Sequence, residues 1–503
     1  MPLTELLFGA LAILLAAAVY ISRRNLNYWQ QRGIPCDPPH FIFGNLKDVP
    51  KKISIAEAFS NVYSRYLGTG PFCGFYFLLK PSVLALSPEF TKRILIKDFN
   101  NFVNRGLYSN EKDDPLTGHL FLLDGQKWRN LRNKLSPTFT AGQMRFMLPT
   151  VLAVADQLVD TLDSNLQKSD IIEIKEILAR FTTDVIGSCA FGIECNSLKN
   201  PDAIFRQMGR RVLTEERHSE FVRNLINALP GVARMLHMRI MKDEYTDFFM
   251  KIVRESVDYR AKNNVQRKDF LNILIELNKN AALDNGKGLS VEEMAAQVFV
   301  FFAAGFETSS TTLSFMLYEL ALNLNIQQRL RAEIMDALEK HNNEVTYECI
   351  NSMPYMKQVI AETLRKYPIV PQLQRVALSD YVVPEHPKYV IEKGTVIFIP
   401  VVAMHHNPEI YPEPEKFNPQ RFAPEEMQAR DSINWLPFGD GPRNCIGLRF
   451  GQMQMRVALI YLLRNFEIST CHLTEIPLKL SRDLFLTSTK SGIPLKFQRI
   501  AAN

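Results

Sequence analysis

The sequence predicts a mainly α protein with small β regions, on three observations. Apolar residues recur at helical spacing from about Pro88 to about residue 367, interrupted by polar loops. Within that block one helix should be unusually long. Ser290 and Glu293 form a capping box, and apolar residues run on from Met294 to about Leu322. A helix apolar on most sides must pass through the core. Strand-like runs are short and flank the helical block.

The elements follow in chain order. Leu6 to Ile21 is an unbroken apolar run, and with Met1 to Leu3 it is just long enough to span a bilayer. A cleaved signal peptide would carry positive charge ahead of the run, where the only charged side chain is Glu5. Arg23 and Arg24 follow, which by the positive-inside rule keeps the rest of the chain cytosolic. Residues 1–24 are expected to be a transmembrane anchor with its stop-transfer signal. Residues 25–45 read as a stiff proline-rich hinge around Pro35-Cys36-Asp37-Pro38-Pro39, and 46–503 as the body. Phe75–Leu79 and Ser82–Leu86 read as strands turning at Lys80-Pro81. Leu373–Leu378 and Val396–Ile399 read as strands, Met404–Phe422 as tight coil and Gly447–Phe466 as a helix. The last thirty or so residues read as a small hairpin turning at Ser491-Gly492.

Length alone would allow about three domains. No Gly/Ser linker, repeat or low-complexity tract divides the chain, so one large body fits better. The net charge of +6 does not indicate a nucleic-acid partner. It leaves room for a basic patch facing an acidic protein or anionic lipid. Cys36, Cys73, Cys189, Cys195, Cys349, Cys445 and Cys471 are odd in number and scattered, with no C-x-x-C pair. That argues against a disulfide framework and a zinc site, and for a reducing, cytosol-facing location.

Cys445 is the most informative residue. It lies in Phe438-Gly439-Asp440-Gly441-Pro442-Arg443-Asn444-Cys445-Ile446-Gly447. Glycines let backbone N–H groups approach the sulfur, and those dipoles with nearby positive charge favour thiolate. Such a thiolate in a dry pocket is a good axial ligand for haem iron. The plainer alternative is a buried cysteine beside a Gly/Pro turn. Ala303-Ala304-Gly305-Phe306-Glu307-Thr308-Ser309 puts an acid, a threonine and a glycine inside the long helix, where Gly costs about 1 kcal/mol relative to Ala. Small residues there could leave room above a flat cofactor, with Thr308 and Glu307 handling protons. A close helix crossing with a helix-bonded threonine would need the same residues. Glu362 and Arg365 share a helix face at i,i+3, as a surface pair or a buried one. Trp128 and Arg132 stand one helical turn apart and could both donate to one carboxylate. Arg132 alone could equally belong to a solvated basic face.

The pattern Phe438, Gly441, Arg443, Cys445, Gly447 resembles the haem-binding loop of the cytochrome P-450 family at every fixed position. The resemblance extends over nearly the whole chain: W-x-x-x-R at Trp128 and Arg132, A-G-x-E-T from Ala304 to Thr308, E-x-x-R at Glu362 and Arg365, and P-x-R-F from Pro419 to Phe422. Gln420 stands where the common form of that last motif has Glu. The resemblance implies the mostly helical P-450 prism and haem b on Cys445. It implies propionate partners in Trp128, Arg132, Arg375 and Arg443, and a lock of Glu362 with Arg365 and Arg421. It implies oxygen activation by Ala304, Gly305, Glu307 and Thr308. NADPH would act only through a separate flavoprotein reductase, with cytochrome b5 as a further electron donor. No Gly-rich dinucleotide fingerprint follows a strand here, so NADPH is not expected to bind this chain. Lys127, Arg129, Lys134 and Arg449 could present a basic face to an acidic reductase.

The finer strings resemble an insect microsomal enzyme of family six, a group associated with detoxifying foreign compounds at the endoplasmic reticulum. The expected reaction is insertion of one atom of O2 into a small lipophilic substrate. Alternatives are a hydroxylase of endogenous lipids, hormones or fatty acids, a reductase-independent isomerase or dehydratase, and a haem-based sensor. Phe221 to Met241 could be a second lipid contact or a cover over the substrate pocket.

Overall fold

The long helix forms as its sequence signals require. It spans Val291–Leu322, 32 residues, with Ser290 as its N-cap. Glu293 N donates to Ser290 Oγ at 3.1 Å, and Ser290 N donates to Glu293 Oε2 at 2.8 Å. This central helix buries Phe299, Phe302, Phe306, Leu313, Phe315 and Leu317 in the larger of two apolar cores. Each such side chain contributes roughly 1.5–3 kcal/mol of transfer free energy. Helix Ile174–Ile186 crosses it closely, and Thr182 Oγ1 donates to Phe306 O at 2.9 Å. Helix Leu448–Asn465 packs beside it through Gln454, whose Nε2 donates to Ser309 Oγ at 2.7 Å.

The computed structural model describes residues 23–283, 288–482 and 486–501. The expected anchor run, Leu6–Ile21, lies outside them. Among the described residues no helix is long and apolar enough to cross a membrane.

Among the described residues nine short strands flank the helices: β1 Phe72–Phe77, β2 Lys80–Ala85, β3 Ile171–Glu173, β4 Leu373–Val376, β5 Tyr381–Val382, β6 Val390–Ile391, β7 Val396–Ile399, β8 Phe466–Ser469 and β9 Pro494–Arg499. Four make one sheet in the order β1-β2-β7-β4, parallel only between β2 and β7. The β1–β2 turn falls at Leu78-Leu79, not at Lys80-Pro81. Leu78 adopts φ 56°, and Pro81 lies inside the ladder opposite Tyr76. Pro81 is tolerated because β7 pairs only with Ser82–Leu84, so no bond to β7 is lost. β4 stops at Val376, two residues early. Its backbone turns to residues 101–104 instead, with Val376 N donating to Asn104 O and Leu378 N to Asn101 O, both at 2.9 Å.

One further expectation is corrected. The C-terminal chain does not turn back on itself at Ser491-Gly492. Ser481 N donates to Ser488 O at 2.8 Å and Lys490 N to Lys479 O at 3.0 Å, and β9 pairs with β3 and β8. Glu173 explains the difference, because its Oε1 accepts Ile493 N at 2.7 Å and pins the start of β9. Within residues 25–45, expected to be a stiff hinge, several side chains and backbone groups pack onto the body. Trp29 is fully buried, its N–H donates to Tyr76 Oη at 3.1 Å, and a Cβ on Gly74 would overlap its ring. Gly74 N donates to Pro35 O at 2.8 Å. The body therefore begins near Leu26, with Trp29, Phe59, Phe75 and Phe398 in the second core.

Candidate active site

The Cys445 loop is built on two left-handed glycines. Gly439 has φ +67° and Gly441 φ +70°, and a Cβ on Gly441 would overlap the Leu95 carbonyl. Cys445 N donates to Phe438 O at 2.8 Å, which closes the loop. Cys445 is an exposed residue, yet its thiol is set in dense protein. Burial pushes the thiol pKa up, while the Gly447 N–H and the charges of Arg132 and Arg105 pull it down. Burial prevails. The expectation that backbone dipoles and nearby positive charge would favour thiolate captures only part of the balance.

Four guanidiniums crowd this loop. Arg443 is 3% exposed and lies 4.3 Å over the Trp128 ring. Its NH2 donates to Leu123 O at 2.6 Å and Asp124 Oδ1 at 3.3 Å, while Nε and NH1 are buried without an acceptor. Arg375, in β4, donates from NH1 to Gln374 O at 2.8 Å and has an unsatisfied Nε. Arg132 gives NH1 to Asn444 O at 3.0 Å and NH2 to Asn444 Oδ1 at 2.7 Å. It holds the residue next to Cys445. Arg105 donates from NH2 to Arg443 O at 3.3 Å. Burial, then mutual repulsion, lowers Arg443 to about 9 and Arg105 to about 10, and lowers Arg375 well below the usual range. The carboxylate near Arg105, Arg375 and Arg443 is Asp124.

On the central helix, Ala304 is exposed although Phe302 and Phe306 beside it are fully buried. Gln454 and Gly451 hold the helix that follows Cys445 against Gly305 and Ser309 of the same turn. The accessible faces of Ala304 and Cys445 thus share one neighbourhood. Thr308 Oγ1 donates to Ala304 O at 2.6 Å. Thr311 Oγ1 donates to Glu307 Oε1 at 3.3 Å. Gly305 fits the close-crossing alternative: a Cβ there would sit 2.9 Å from Ile186 Cδ1, so the neighbouring helix already fills that side. Ala304 supplies the space.

Glu362 and Arg365 are both fully buried, which removes the surface-pair alternative. Arg365 Nε donates to Glu362 Oε2 at 2.7 Å and NH2 to Oε1 at 3.0 Å. Arg421 Nε lies 3.4 Å from Glu362 Oε1, and Asn418 N donates to that oxygen at 2.9 Å. Arg365 also donates to His405 O at 3.0 Å and Pro414 O at 2.7 Å. One carboxylate thus binds the coil that leads to the Cys445 loop.

Lys127, Arg129 and Arg449 are individually anchored. Lys127 Nζ donates to Glu111 Oε1 at 2.9 Å, Arg129 NH2 to Asn100 Oδ1 at 3.1 Å and Arg449 NH1 to Phe139 O at 3.3 Å. Sequence reasoning missed Arg105, Asp124, Asn444 and His119. Asp124 precedes a helix start and reads as a cap, but it makes no cap bond and accepts Arg105 N at 3.0 Å instead. His119 is buried and held neutral, its pKa lowered to about 3 by burial and then by Arg105.

A cytochrome P450 family model matches residues 34–497. Cytochrome P450 6a9 of Drosophila melanogaster is 50% identical over 98% of this chain and 100% of its own length. Cytochrome P450 6a2 of the same fly is 50% identical over 96% and 97%, and cytochrome P450 6A1 of Musca domestica 47% over 99% of each. The enclosed cysteine, the arginine cluster and these matches agree. The chain belongs to the cytochrome P450 family, as an oxidoreductase of the monooxygenase type that uses haem b and takes electrons from NADPH through a reductase.

Proposed function

We propose that the chain is a microsomal monooxygenase of lipophilic foreign compounds, with Cys445 as the thiolate ligand of the haem iron. One observation carries this reading: an exposed cysteine set in dense protein stands beside four guanidiniums, three of which have the single carboxylate Asp124 near them. The residues fit haem b. Nε and NH1 of Arg443 and Nε of Arg375 are buried donors that lack acceptors, and two propionates are the acceptors they lack. Those two charges, with a thiolate and Asp124, would neutralise the four guanidiniums. No atom lies within 4 Å of where a Cβ on Gly447 would be, which leaves a flat group room beside the sulfur. When bound, haem supplies the oxygen activation, favoured by electron donation from a thiolate ligand.

The chain does the rest. Arg443 and Arg375 orient the carboxylates, and Arg132 holds Asn444 so that Cys445 keeps its aim. Ala304 leaves space on the central helix. Thr308 presents a hydroxyl whose own proton is held by Ala304 O, so its lone pairs can accept a hydrogen bond from water and orient it for proton delivery. Glu307, one residue earlier and partly exposed, resupplies protons from the solvent side. Residues 1–24, with the outward-facing Leu225, Leu229, Val232, Met235 and Leu236, support attachment to the endoplasmic reticulum membrane. The basic residues near Cys445 suit an acidic reductase, with cytochrome b5 as a second donor.

The reduced, carbon monoxide-treated protein is expected to show the red-shifted Soret band of thiolate ligation, and Cys445→Ala to lose it. A wild-type spectrum from that variant sinks the assignment. Thr308→Ala is expected to keep the spectrum and NADPH consumption but release more hydrogen peroxide and less product per NADPH.

A further inference from the structure

Asp124 stands at a helix-cap position and does not cap. It precedes helix Gly125–Leu135 without a side-chain cap bond, and Gly125 N donates to Asn104 Oδ1 at 2.8 Å instead. An N-cap aspartate typically adds about 1 kcal/mol to its helix, a gain forgone here. The carboxylate turns to residues 105–106 and to the Cys445 loop. Oδ1 accepts Arg105 N at 3.0 Å and Arg443 NH2 at 3.3 Å, and Oδ2 accepts Gly106 N at 3.3 Å.

Each of those partners leads back to the arginine cluster. Arg105 O accepts Gln374 Nε2 at 2.8 Å, and a Cβ on Gly106 would overlap Val376. Residues 105–106 therefore lie against β4 on either side of Arg375. Arg443 NH2 also donates to Leu123 O at 2.6 Å, which leaves Nε and NH1 as its unpaired donors. The charge of Asp124 acts on Arg105, Arg375 and Arg443, and holds up the pKa of each against burial and mutual repulsion. Burial raises the pKa of Asp124 itself, opposed by the Arg105 and Gly106 amides and by the charges of Arg443 and Arg105.

We infer that Asp124 is a positioning residue for the cofactor: it aims the free donors of Arg443 at the propionates, and its negative charge lowers the potential at which the cofactor accepts an electron. The inference rests on the proposed placement of haem beside this cluster. A guanidinium is a planar, rigid fork, so fixing NH2 fixes the directions of Nε and NH1. The charge argument is separate. Reduction adds one electron, supplied by the reductase, and with it one unit of negative charge. In a partly buried site an anion opposes that addition more strongly than it would in water. Asp124 repels the added charge, and it also offsets the guanidiniums that would attract it. Its two backbone N–H partners keep it in place in either redox state.

The test is a redox titration of full-length holoenzyme with dithionite and soluble mediators at fixed salt. Wild type is compared with Asp124→Asn, Asp124→Glu and Glu111→Gln. Asp124→Asn keeps an oxygen for Arg105 N and Arg443 NH2 and loses the charge. At a given potential its ratio of reduced to oxidised protein should rise about three- to tenfold, an upward shift of no more than about 59 mV. Asp124→Glu keeps the charge and should stay near wild type. Glu111 is exposed and bonded to Lys127, so Glu111→Gln controls for charge removal in general and should leave the ratio unchanged. Haem transfer to a scavenger protein is followed in parallel. Asp124→Ala, with no acceptor for Arg443, should lose haem faster than Asp124→Asn, and equal loss from the two removes the aiming role. Equal potentials in wild type and Asp124→Asn overturn the charge role, as do equal shifts in Asp124→Asn and Glu111→Gln. A shift in Asp124→Glu as large as that in Asp124→Asn overturns it too, because geometry would then set the potential. If Asp124→Asn fails to hold haem while Asp124→Glu is fully loaded, the carboxylate serves assembly and not tuning, and the inference falls. A wild-type protein without the red-shifted carbon monoxide band removes the haem-thiolate reading itself, so the two failures are distinguishable.

Discussion

Two buried ionic clusters hold this molecule together, and they are built on opposite logic. In the first, Glu362 is surrounded by Arg365, Arg421 and a backbone N–H, and the remaining Arg365 donors reach carbonyls. It is close to closed: one anion faces two cations, and Arg421 Nε, 3.4 Å from Glu362 Oε1, is its one buried guanidinium nitrogen without a hydrogen bond. In the second, Asp124 is the one carboxylate near Arg105, Arg375 and Arg443, Arg132 binds Asn444, and three guanidinium nitrogens have no acceptor. It is open. A closed cluster is architecture, since it is complete in the polypeptide alone. An open cluster of buried like charges is costly unless something else supplies the missing anions. The difference separates scaffold from binding site without reference to any motif.

The largest expected effect breaks the closed cluster. Glu362→Ala leaves two buried guanidiniums without their carboxylate, at a cost of about 3–5 kcal/mol. Soluble yield and haem content should both collapse. Haem at wild-type stoichiometry from that variant would show that the lock is dispensable. The open cluster should respond with opposite signs. Arg443→Leu removes a buried, partly unpaired charge, so protein expressed without haem should gain about 1–3 kcal/mol in denaturant unfolding. The same change should hasten haem loss to a scavenger protein. If both stability and haem retention fall, Arg443 is scaffold and the contrast fails.

Much of this contrast was legible in the sequence, and the gaps have physical causes. The Cys445 loop, the capping box and the pairing of Glu362 with Arg365 are local patterns, and local geometry fixes them. Arg105 and Asp124 are not local. They meet Arg443 across more than three hundred positions, and nothing in their own surroundings announces it. Gly305 was legible as unusual, but the choice between a close crossing and space for a ligand was not, because Ile186 lies on another helix. The β1–β2 turn was misplaced because Pro81 looks like a turn residue until β7 is known to pair beyond it. The burial of Trp29 was not legible for a similar reason: prolines after it suggest a spacer, while its partner Gly74 lies far along the chain.

A smaller effect distinguishes the clusters by pH. His405 is buried beside Arg365, and burial lowers its pKa to about 3. His119 beside Arg105 is likewise lowered to about 3. In the unfolded chain each would titrate near 6.5, so between about 6.5 and 3 the unfolded state binds protons that the folded state refuses. Stability is therefore complete above about pH 6.5 and falls as pH drops, by up to about 1.4 kcal/mol per pH unit for each histidine. Asp124 and Asp114, whose pKa values burial raises, act in the opposite sense only when carboxylates begin to protonate. Unfolding at pH 7.5 and 5.5 should show the loss, and His405→Gln should reduce it. Haem should moderate the His119 share alone, because propionates would offset Arg105. A flat profile over that interval would mean neither histidine is held neutral.

The smallest effect comes from making the same change at both clusters, an amide to an acid. Gln420 is exposed, and its neighbour Arg421 already shares Glu362. A new carboxylate there meets solvent and a satisfied cluster, so Gln420→Glu should change stability by no more than about 0.5 kcal/mol. Asn444 Oδ1 accepts Arg132 NH2 at 2.7 Å inside the open cluster. Asn444→Asp turns that bond into a charge-assisted one and adds an anion where anions are short. The haem-free protein should gain about 1 kcal/mol in denaturant unfolding. The holoprotein should gain less or lose, because the new charge would compete with the propionates and sit beside the Cys445 sulfur. The two substitutions are matched in size and charge, so a general effect of acidity would move them alike. Equal responses in haem-free protein would mean that the four guanidiniums are not short of negative charge, and the distinction between closed and open clusters would fall with them.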